Sequence, residues 1–597
     1  MSSSLSPRSL TKATAPADGA APSGLPQAPS PTDGRAYAVP PKLDWWYRAR
    51  FGMFVHFGSY SHRGHGEWAF CTEDWDKTDY QTRVTAPFAP TSFNAATIAE
   101  LAKNAGMKYL VITAKHHEGY AMWDSDVAGF TDTTGAKLYN LHDYNGFRPD
   151  LLAQLKTECE KRGVTFGLYY SIVDWSHHSQ TVNRTTLFSD MSSQDARSAY
   201  VTDMKAQLQE LLDRYDPAVL WFDGDWCGNP AAPTLTDWWT GADGEDLYDW
   251  LTARKPGLVV NERVKRDLGL GDFACPEQTV PARPLDRPRE TCATMNGQWG
   301  HTDWAENDYR SVQDIVQEMV TVVSRDGNYL LNIGPEGDGA VPAGAAAVLG
   351  GLASWMGTHA DSIHGTSGSP FAVEPPWGRI TKKSGTLFAH VFSRPTDGAL
   401  RIPAVHNTIG RVHLMNDPSV PLDHTVAGGQ ITVSMPAAAP NAYGCAVCVE
   451  VDGMPAVLAG GVYRLISAQS GKALDNDDTA TEGGQVVQRA PDGGPPQQWR
   501  VTDAGHGYYT LVCVRSGKAL DGYGAGADGT GLVQRADGGG RSQQWAVTAV
   551  GEGAFRLTNR HSGKALDNGC ASGDGSPVIQ RAANGGPAQN WNMTRLG

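Results

Sequence analysis

Short apolar runs that end in polar side chains alternate with amphipathic stretches from about Leu43 to about Gly365. The clearest is PAVLWFDGDW (Pro217–Trp226), where Ala218-Val219-Leu220-Trp221-Phe222 stops abruptly at Asp223-Gly224-Asp225. An amphipathic helix is expected over roughly Ser198 to Tyr215 before it, and a loop after it. A continuous apolar run bracketed in this way reads as a strand of a parallel sheet, buried on both faces. GMFVHFG, KYLVITAKHHEGYAMWDS, VTFGLYYSIVDW, LVVNERV and NYLLNIGP repeat the design. Between them FNAATIAELAKNAG, with Ser92 placed to cap it and Gly106 to stop it, DLLAQLKTECEKRG, LYDWLTARKPG and SVQDIVQEMVTVVSRDG read as helices. At least six such units in about 330 residues predict a (β/α)8-like barrel rather than an open doubly wound sheet. No GxGxxG or GxxxxGK[ST] turn supports the open sheet.

After Gly365 the helical period disappears. Phe371 to Val451 has short alternating runs such as TLFAHVFS and GQITVSMP, broken by Pro, Gly and Asp, which predicts an all-β sandwich. MPAVLAGG reads as a short link. The last segment repeats itself: SGKALDN, SGKALDG and SGKALDN begin at Ser470, Ser516 and Ser562, and QQW, QQW and QNW end at Trp499, Trp545 and Trp591. Three copies predict a closed, three-fold β-structure with the Trp residues packed inside. The expected division is a disordered leader over 1–41, the barrel over 42–365, the sandwich over 366–453, the link over 454–461 and the three-fold unit over 462–597.

Composition narrows the partners. With a net charge of −14 and no basic cluster, nucleic acid and anionic membranes are excluded as partners. No apolar run reaches the ~18 residues of a membrane span. The N-terminus is rich in Ser, Ala, Pro and Gly and lacks the apolar segment of a secretory signal. Nine scattered cysteines show no disulfide framework, and Cys445-Ala-Val-Cys448 has no second ligand pair for zinc. The 18 Trp and 20 Tyr suit clefts in which rings stack on sugar faces.

The polar residues at the strand ends fall into one register. His56, His116 and His117, Tyr169 and Tyr170, Asp223, and Asn261-Glu262-Arg263 would all project around one rim of a barrel. His116 and His117 are adjacent, not spaced as zinc ligands, and no nucleophilic Ser or Cys signature occurs, so neither metal nor cofactor is expected. Two carboxylates flanking a glycosidic bond are the simplest set, with one as nucleophile and one as acid. Asp223 is the candidate nucleophile, and Glu277 or Glu290 could supply the acid. Asp225 reads as a loop cap.

GMFVHFGSYS, GEWAF, AKHHEGYAMWDS, GLYYSIVDW, LWFDGDW, VVNER, GDFACPEQTVP, QWGH and VSRDGNYLLNIGP, in this order, resemble the α-L-fucosidases of glycoside hydrolase family 29 from about Leu43 to Glu450. The resemblance implies a (β/α)8-like barrel followed by a β-sandwich. It also implies retaining hydrolysis of terminal α-L-fucose through a covalent fucosyl-enzyme. Carried onto this sequence, it makes Asp223 the nucleophile and Glu277 the acid/base, with Glu290 as the alternative. His56, His116, His117, Glu67 and Trp68 would hold the sugar, Tyr170 and Trp221 would line it, and Trp299 would pack on its methyl group. Arg263 would keep Asp223 ionised, and Lys115 would form an ion pair behind the site. A protonated acid is expected to sit in an apolar or anionic pocket. The WFDG and PEQ forms resemble the subgroup acting on α-1,3/1,4-linked fucose of Lewis-type oligosaccharides and glycoproteins. A broad-specificity fucosidase and a non-catalytic, lectin-like fucose binder are the alternatives.

The C-terminal repeat resembles the ricin-B-type β-trefoil of carbohydrate-binding module family 13. That resemblance makes Asp475, Asp521 and Asp567 the sugar-binding residues, with galactose-containing glycans as ligands and Gln497, Gln543 and Gln589 holding the loops. Ala490, Ala536 and Ala582 stand where the family has an aromatic platform. The substrate class and this appendage imply a secreted protein.

Overall fold

The computed structural model describes residues 39–182, 189–226, 238–305, 308–437, 443–524, 526–551 and 553–596, apart from the side chain of Asp267. The expected leader, except for its last three residues, and Cys227 lie outside the described residues.

Seven parallel strands form the first sheet: β1 Phe51–Val55, β2 Tyr109–Lys115, β3 Thr165–Ser171, β4 Val219–Asp223, β5 Val259–Val260, β6 Glu290–Thr294 and β7 Asn328–Ile333. They pair in the order β5-β4-β3-β2-β1-β7-β6. Among the described residues no ladder joins β5 to β6. The segment 272–278 lies between them, with parallel bridges from Phe273 to Asn261, from Ala274 to Arg289 and from Glu277 to Cys292. It occupies the eighth position and closes the ring. Ala274 N donates to Pro288 O and Gln278 N to Cys292 O, each at 2.8–2.9 Å. The bond between these two would need an N–H at Pro276, which has none, so this stave cannot form a regular ladder.

Helices α1 Asp44–Ala49, α2 Ala95–Asn104, α3 Leu151–Arg162, α4 Gln194–Tyr215, α5 Gly241–Arg254, α6 Val312–Ser324 and α7 Ala343–His359 include those that wrap the ring. The strands read as unbroken apolar runs because both faces are buried. One face packs on helix residues such as Ile98, Leu155, Leu211, Leu251, Ile315 and Leu352, and the other fills the barrel with Phe54, Val111, Tyr169, Trp221, Phe273 and Leu330. Ser92 is not the cap of α2. Asn94 is, with Oδ1 accepting from Thr97 N at 3.0 Å. Helix α4 begins four residues before the expected start and is capped by Ser193.

Beyond the barrel, a five-stranded and a three-stranded antiparallel sheet lie between Gly378 and Val451. Cys445 and Cys448 are both free thiols. The expected link is not a loose tether: Val457 and Leu458 are buried, and their backbone N–H groups donate to Tyr509 Oη at 3.0 and 3.1 Å.

Fifteen strands from Gly461–Ser467 to Trp591–Arg595 build the three-fold unit. Trp499, Trp545 and Trp591 are fully buried, and each indole N–H donates to the leucine carbonyl of its own ALD motif at 3.0–3.1 Å. Arg541 and Arg560 of this unit reach Asp286 at 3.1 and 2.6 Å. Asp286 lies just before β6, so the trefoil sits at the amino-terminal end of the barrel, opposite the polar rim. Among the described residues no helix is long and apolar enough to cross a membrane.

Candidate active site

A pocket opens at the carboxyl ends of the barrel strands. His56, Glu67, Trp68, His116, His117, Trp221, Asp223, Arg263, Glu277 and Trp299 all line it, together with Phe54, Tyr169, Trp226 and Cys292. Asp223 is the last residue of β4. The side-chain amide of Asn261 clamps the residue before it, accepting from Phe222 N at 2.8 Å and donating to Phe222 O at 2.9 Å. This clamp continues the sheet where β5 has run out and fixes the direction of the Asp223 side chain.

The charge at Asp223 is heavily compensated. Arg263 Nη1 lies 3.1 Å from its Oδ2 and Arg266 Nη2 lies 2.9 Å from its Oδ1. Burial alone would raise its pKa, but the two guanidinium groups outweigh burial and hold the carboxyl well below the usual carboxylate range. The same Arg263 reaches Glu277 Oε2 through Nη2 at 3.0 Å, so one guanidinium bridges both carboxylates. Glu277 Oε1 also accepts from Trp299 Nε1 at 3.2 Å. Its surroundings are therefore cationic and half open, not the apolar or anionic pocket expected of the acid.

Glu290 has the buried environment but the wrong place. It is the first residue of β6, at the amino-terminal end of the barrel, and it does not line the pocket. Its oxygens accept from Trp221 Nε1 at 3.0 Å, Trp46 Nε1 at 3.3 Å and the Tyr109 hydroxyl. Burial pushes its carboxyl up to about 7 against those hydrogen bonds. Sealed beneath Trp221, it cannot reach a bond cleaved at the rim.

The pocket histidines are neutral. Burial pushes His56 and His117 down to about 4 and His116 well below the ordinary histidine value. His56 Nδ1 pairs with Asn332 Oδ1 at 2.7 Å and His117 Nδ1 with Ser171 Oγ at 2.7 Å. Glu67 Oε2 accepts from Gly300 N at 2.8 Å, which ties it to the loop carrying Trp299. Trp68 stacks on Trp226 with centroids 5.7 Å apart. Lys115 pairs with Asp174 at 3.3 Å behind the pocket.

Tyr170 does not line the pocket. Its hydroxyl donates to Gln207 of α4 at 2.8 Å, on the outside of the barrel. Tyr169 faces inward instead, stacked on Trp221, and its buried hydroxyl has no partner. Side chains alternate along a strand, and Tyr169 pairs in register with Trp221, so the two share a face. Sequence reading also missed Trp226, Cys292 and Arg266. Trp226, next to the DGD turn, stood in plain view in the sequence, whereas no pattern there marked Cys292 or Arg266. Asp225 is buried and pairs with Arg266 at 2.6 Å, which positions the second cation of Asp223.

In the trefoil, Asp475, Asp521 and Asp567 are buried. Each accepts from the Gln of its QxW motif at 3.0–3.1 Å through one oxygen, and through the other from the backbone N–H two residues on, at 2.6–2.7 Å. In this structure these carboxylates brace their loops.

Comparison with known proteins agrees with both halves. A family model described as Alpha-L-fucosidase matches residues 31–361, more than half of the chain. One described as Ricin-type beta-trefoil lectin domain-like matches 456–535, 497–581 and 541–597. The α-L-fucosidase of Dictyostelium discoideum is 25% identical over 446 residues, covering 68% of this chain and 90% of that protein. The tissue α-L-fucosidase of Bos taurus is 29% identical over 400 residues, covering 61% and 78%. Among solved structures, α-L-fucosidase isoenzyme 1 from Paenibacillus thiaminolyticus superposes with a TM-score of 0.60 at 28% identity, covering 69% of this chain and 99% of that one.

Proposed function

The chain belongs to the α-L-fucosidase family of glycoside hydrolases, which cleave with retention, and we propose that Asp223 is its nucleophile and Glu277 its acid/base. Asp223 attacks C1 of the fucosyl unit while the proton of Glu277 passes to the departing glycosidic oxygen, leaving a fucosyl ester. Glu277, now a carboxylate, takes a proton from the water that attacks C1, and fucose and free Asp223 result. The observation that supports this best is the shared Arg263. Retaining pairs stand about 5–5.5 Å apart, a spacing that the two ends of one guanidinium can span. Arg263 also has a changing part to play: it balances Asp223 before attack, and once Asp223 is esterified its charge is left for Glu277.

The assignment is tested by Asp223→Gly. This variant should lose turnover and regain it with added azide, releasing β-fucosyl azide; the absence of rescue would remove Asp223 from the role.

The substrates we propose are Lewis-type oligosaccharides and glycoproteins carrying terminal α-1,3- or α-1,4-linked fucose, on the strength of the WFDG and PEQ forms. Fucose release from a Lewis trisaccharide, run beside 2′-fucosyllactose and a core α-1,6-fucosylated glycan, tests this. Equal release from all three would favour a broad-specificity enzyme, and release from none a lectin-like protein. We assign to the trefoil a glycan-tethering role outside the cell, with galactose-containing glycans as the first ligands to try. Its second repeat offers the most, because Tyr523 beside Asp521 is 57% exposed and Arg535 stacks 4.3 Å from its ring centroid. Lactose binding that survives Tyr523→Ala would remove that repeat from the role.

A further inference from the structure

Two of the three pocket histidines have their hydrogen placed by a fixed partner. Asn332 spends its amide N–H on Trp299 O at 2.7 Å, so its Oδ1 must accept from His56 Nδ1. Ser171 spends its hydroxyl hydrogen on Val173 O at 2.6 Å, so its Oγ must accept from His117 Nδ1. Both rings therefore carry hydrogen on Nδ1 and keep a lone pair on Nε2.

His116 has no such partner. Its Nδ1 is buried and makes no hydrogen bond, and neither does the buried Oε2 of Glu118, 3.7 Å away. Two facing, unpaired polar atoms in a buried site are unusual, since such groups are nearly always hydrogen-bonded. We propose that Glu118 is a positioning residue: as a neutral carboxylic acid it donates its O–H to His116 Nδ1 and so fixes hydrogen on His116 Nε2. His116 then donates to a sugar hydroxyl, while His56 and His117 accept. A mixed set of this kind can satisfy hydroxyl groups that both give and take.

Several features of the surroundings favour the neutral acid. Glu118 is fully buried, with Oε1 3.5 Å from Ser59 Oγ. The nearest cation, Lys115, is committed to Asp174. The other groups facing it are the phenols of Tyr60, Tyr80, Tyr120 and Tyr139, none of them cationic. Burial, helped by Asp174 and opposed by its own backbone N–H, by Lys115 and by the Ser59 hydroxyl, pushes the carboxyl up to about 8. Above that pH the proton leaves to solvent, the carboxylate draws the histidine hydrogen to Nδ1, and the donor to the sugar is lost.

The inference rests on the reading that His116 touches the sugar, and the test separates the two. In protein labelled with 15N-histidine, the His116 signal, identified by its loss in His116→Asn, should show hydrogen on Nε2 at pH 7. Hydrogen on Nδ1 overturns the proposal whatever the kinetics do. In turnover of an aryl α-L-fucoside, wild-type KM should rise about tenfold between pH 7 and pH 9, the loss of one good hydrogen bond. Glu118→Gln keeps a donor that cannot titrate, so its KM at pH 7 should stay within about twofold of wild type and then remain flat. A wild-type KM that stays flat, or a variant KM that rises in parallel, overturns the role of Glu118. An unchanged KM in His116→Asn would instead fault the sugar contact, leaving the nitrogen spectrum to decide the tautomer.

Discussion

Replacing Glu290 with Gln separates burial from chemistry. The wild-type carboxyl is almost fully buried and is carried from an ordinary 4.5 to about 7. A raised native pKa means that the folded protein binds the proton more tightly than the unfolded chain. The stabilisation is therefore complete below pH 4.5 and is lost as pH rises through 7. At 1.36 kcal/mol per pKa unit, this is worth about 3 kcal/mol. Glu290→Gln removes the titration, so its stability should not show this fall. It has a fixed cost of its own, because an amide NH2 replaces one acceptor facing Trp46, Trp221 and Tyr109; one unsatisfied donor costs about 1–3 kcal/mol. The variant should thus be the weaker protein at pH 4.5 and draw level with wild type, or overtake it, near pH 8. Guanidinium unfolding followed by tryptophan fluorescence at half-unit pH steps measures the difference, and the comparison of slopes survives even if the domains unfold separately. Turnover of an activated aryl fucoside and of a natural glycan should fall by the same factor. Parallel pH slopes would refute the assigned burial effect, and a loss concentrated on the natural glycan would make Glu290 the acid.

Glu277→Ala should do what Glu290→Gln does not: spare an aryl fucoside with an activated leaving group to within about tenfold, while natural glycans lose about 10²–10⁴-fold in kcat/KM. A uniform loss would argue against Glu277 as the acid. Tyr170→Phe leaves Gln207 Oε1 without its donor and should cost about 1–3 kcal/mol of stability with activity unchanged. Tyr169→Phe removes a hydroxyl that has no protein partner, so it should leave the melting temperature alone and raise KM; the reverse pattern would show that the inward and outward faces of β3 are misassigned.

These paired tests follow the line between what the sequence revealed and what it hid. The regular strands were legible because a parallel strand buried on both faces needs an unbroken apolar run. His56, His116, His117, Asp223 and Arg263 were legible because each breaks such a run or follows one directly. The closing stave at 272–278 was not, since GDFACPEQ has neither apolar continuity nor alternation, and Pro276 removes a ladder bond. The choice between Tyr169 and Tyr170 depends on a register with Trp221 that only the folded sheet supplies. Ser92 and Asn94 are both competent N-caps two residues apart, and only the geometry of the chain entering α2 distinguishes them.

The two glutamates show why a perturbed pKa is a weak guide to catalysis when taken alone. Desolvation raises a carboxyl wherever it is buried, and it does so at Glu290 under the floor of the pocket as effectively as it could in a working site. Glu277 has the position and a cation beside it, which favours the carboxylate over the acid. On the proposed assignment, however, the same side chain must be an acid in one step and a base in the next, so no single resting environment can suit both. Arg263 answers this by being shared. While Asp223 is anionic, the guanidinium serves two carboxylates and Arg266 takes part of the load at Asp223. Protonating Glu277 then forfeits only part of one interaction. When Asp223 becomes an ester, the whole of Arg263 is left to stabilise the Glu277 carboxylate, which is the form that must activate water. On the proposed assignment the acid/base switch is driven by the charge on the nucleophile, through Arg263, which contacts both carboxylates.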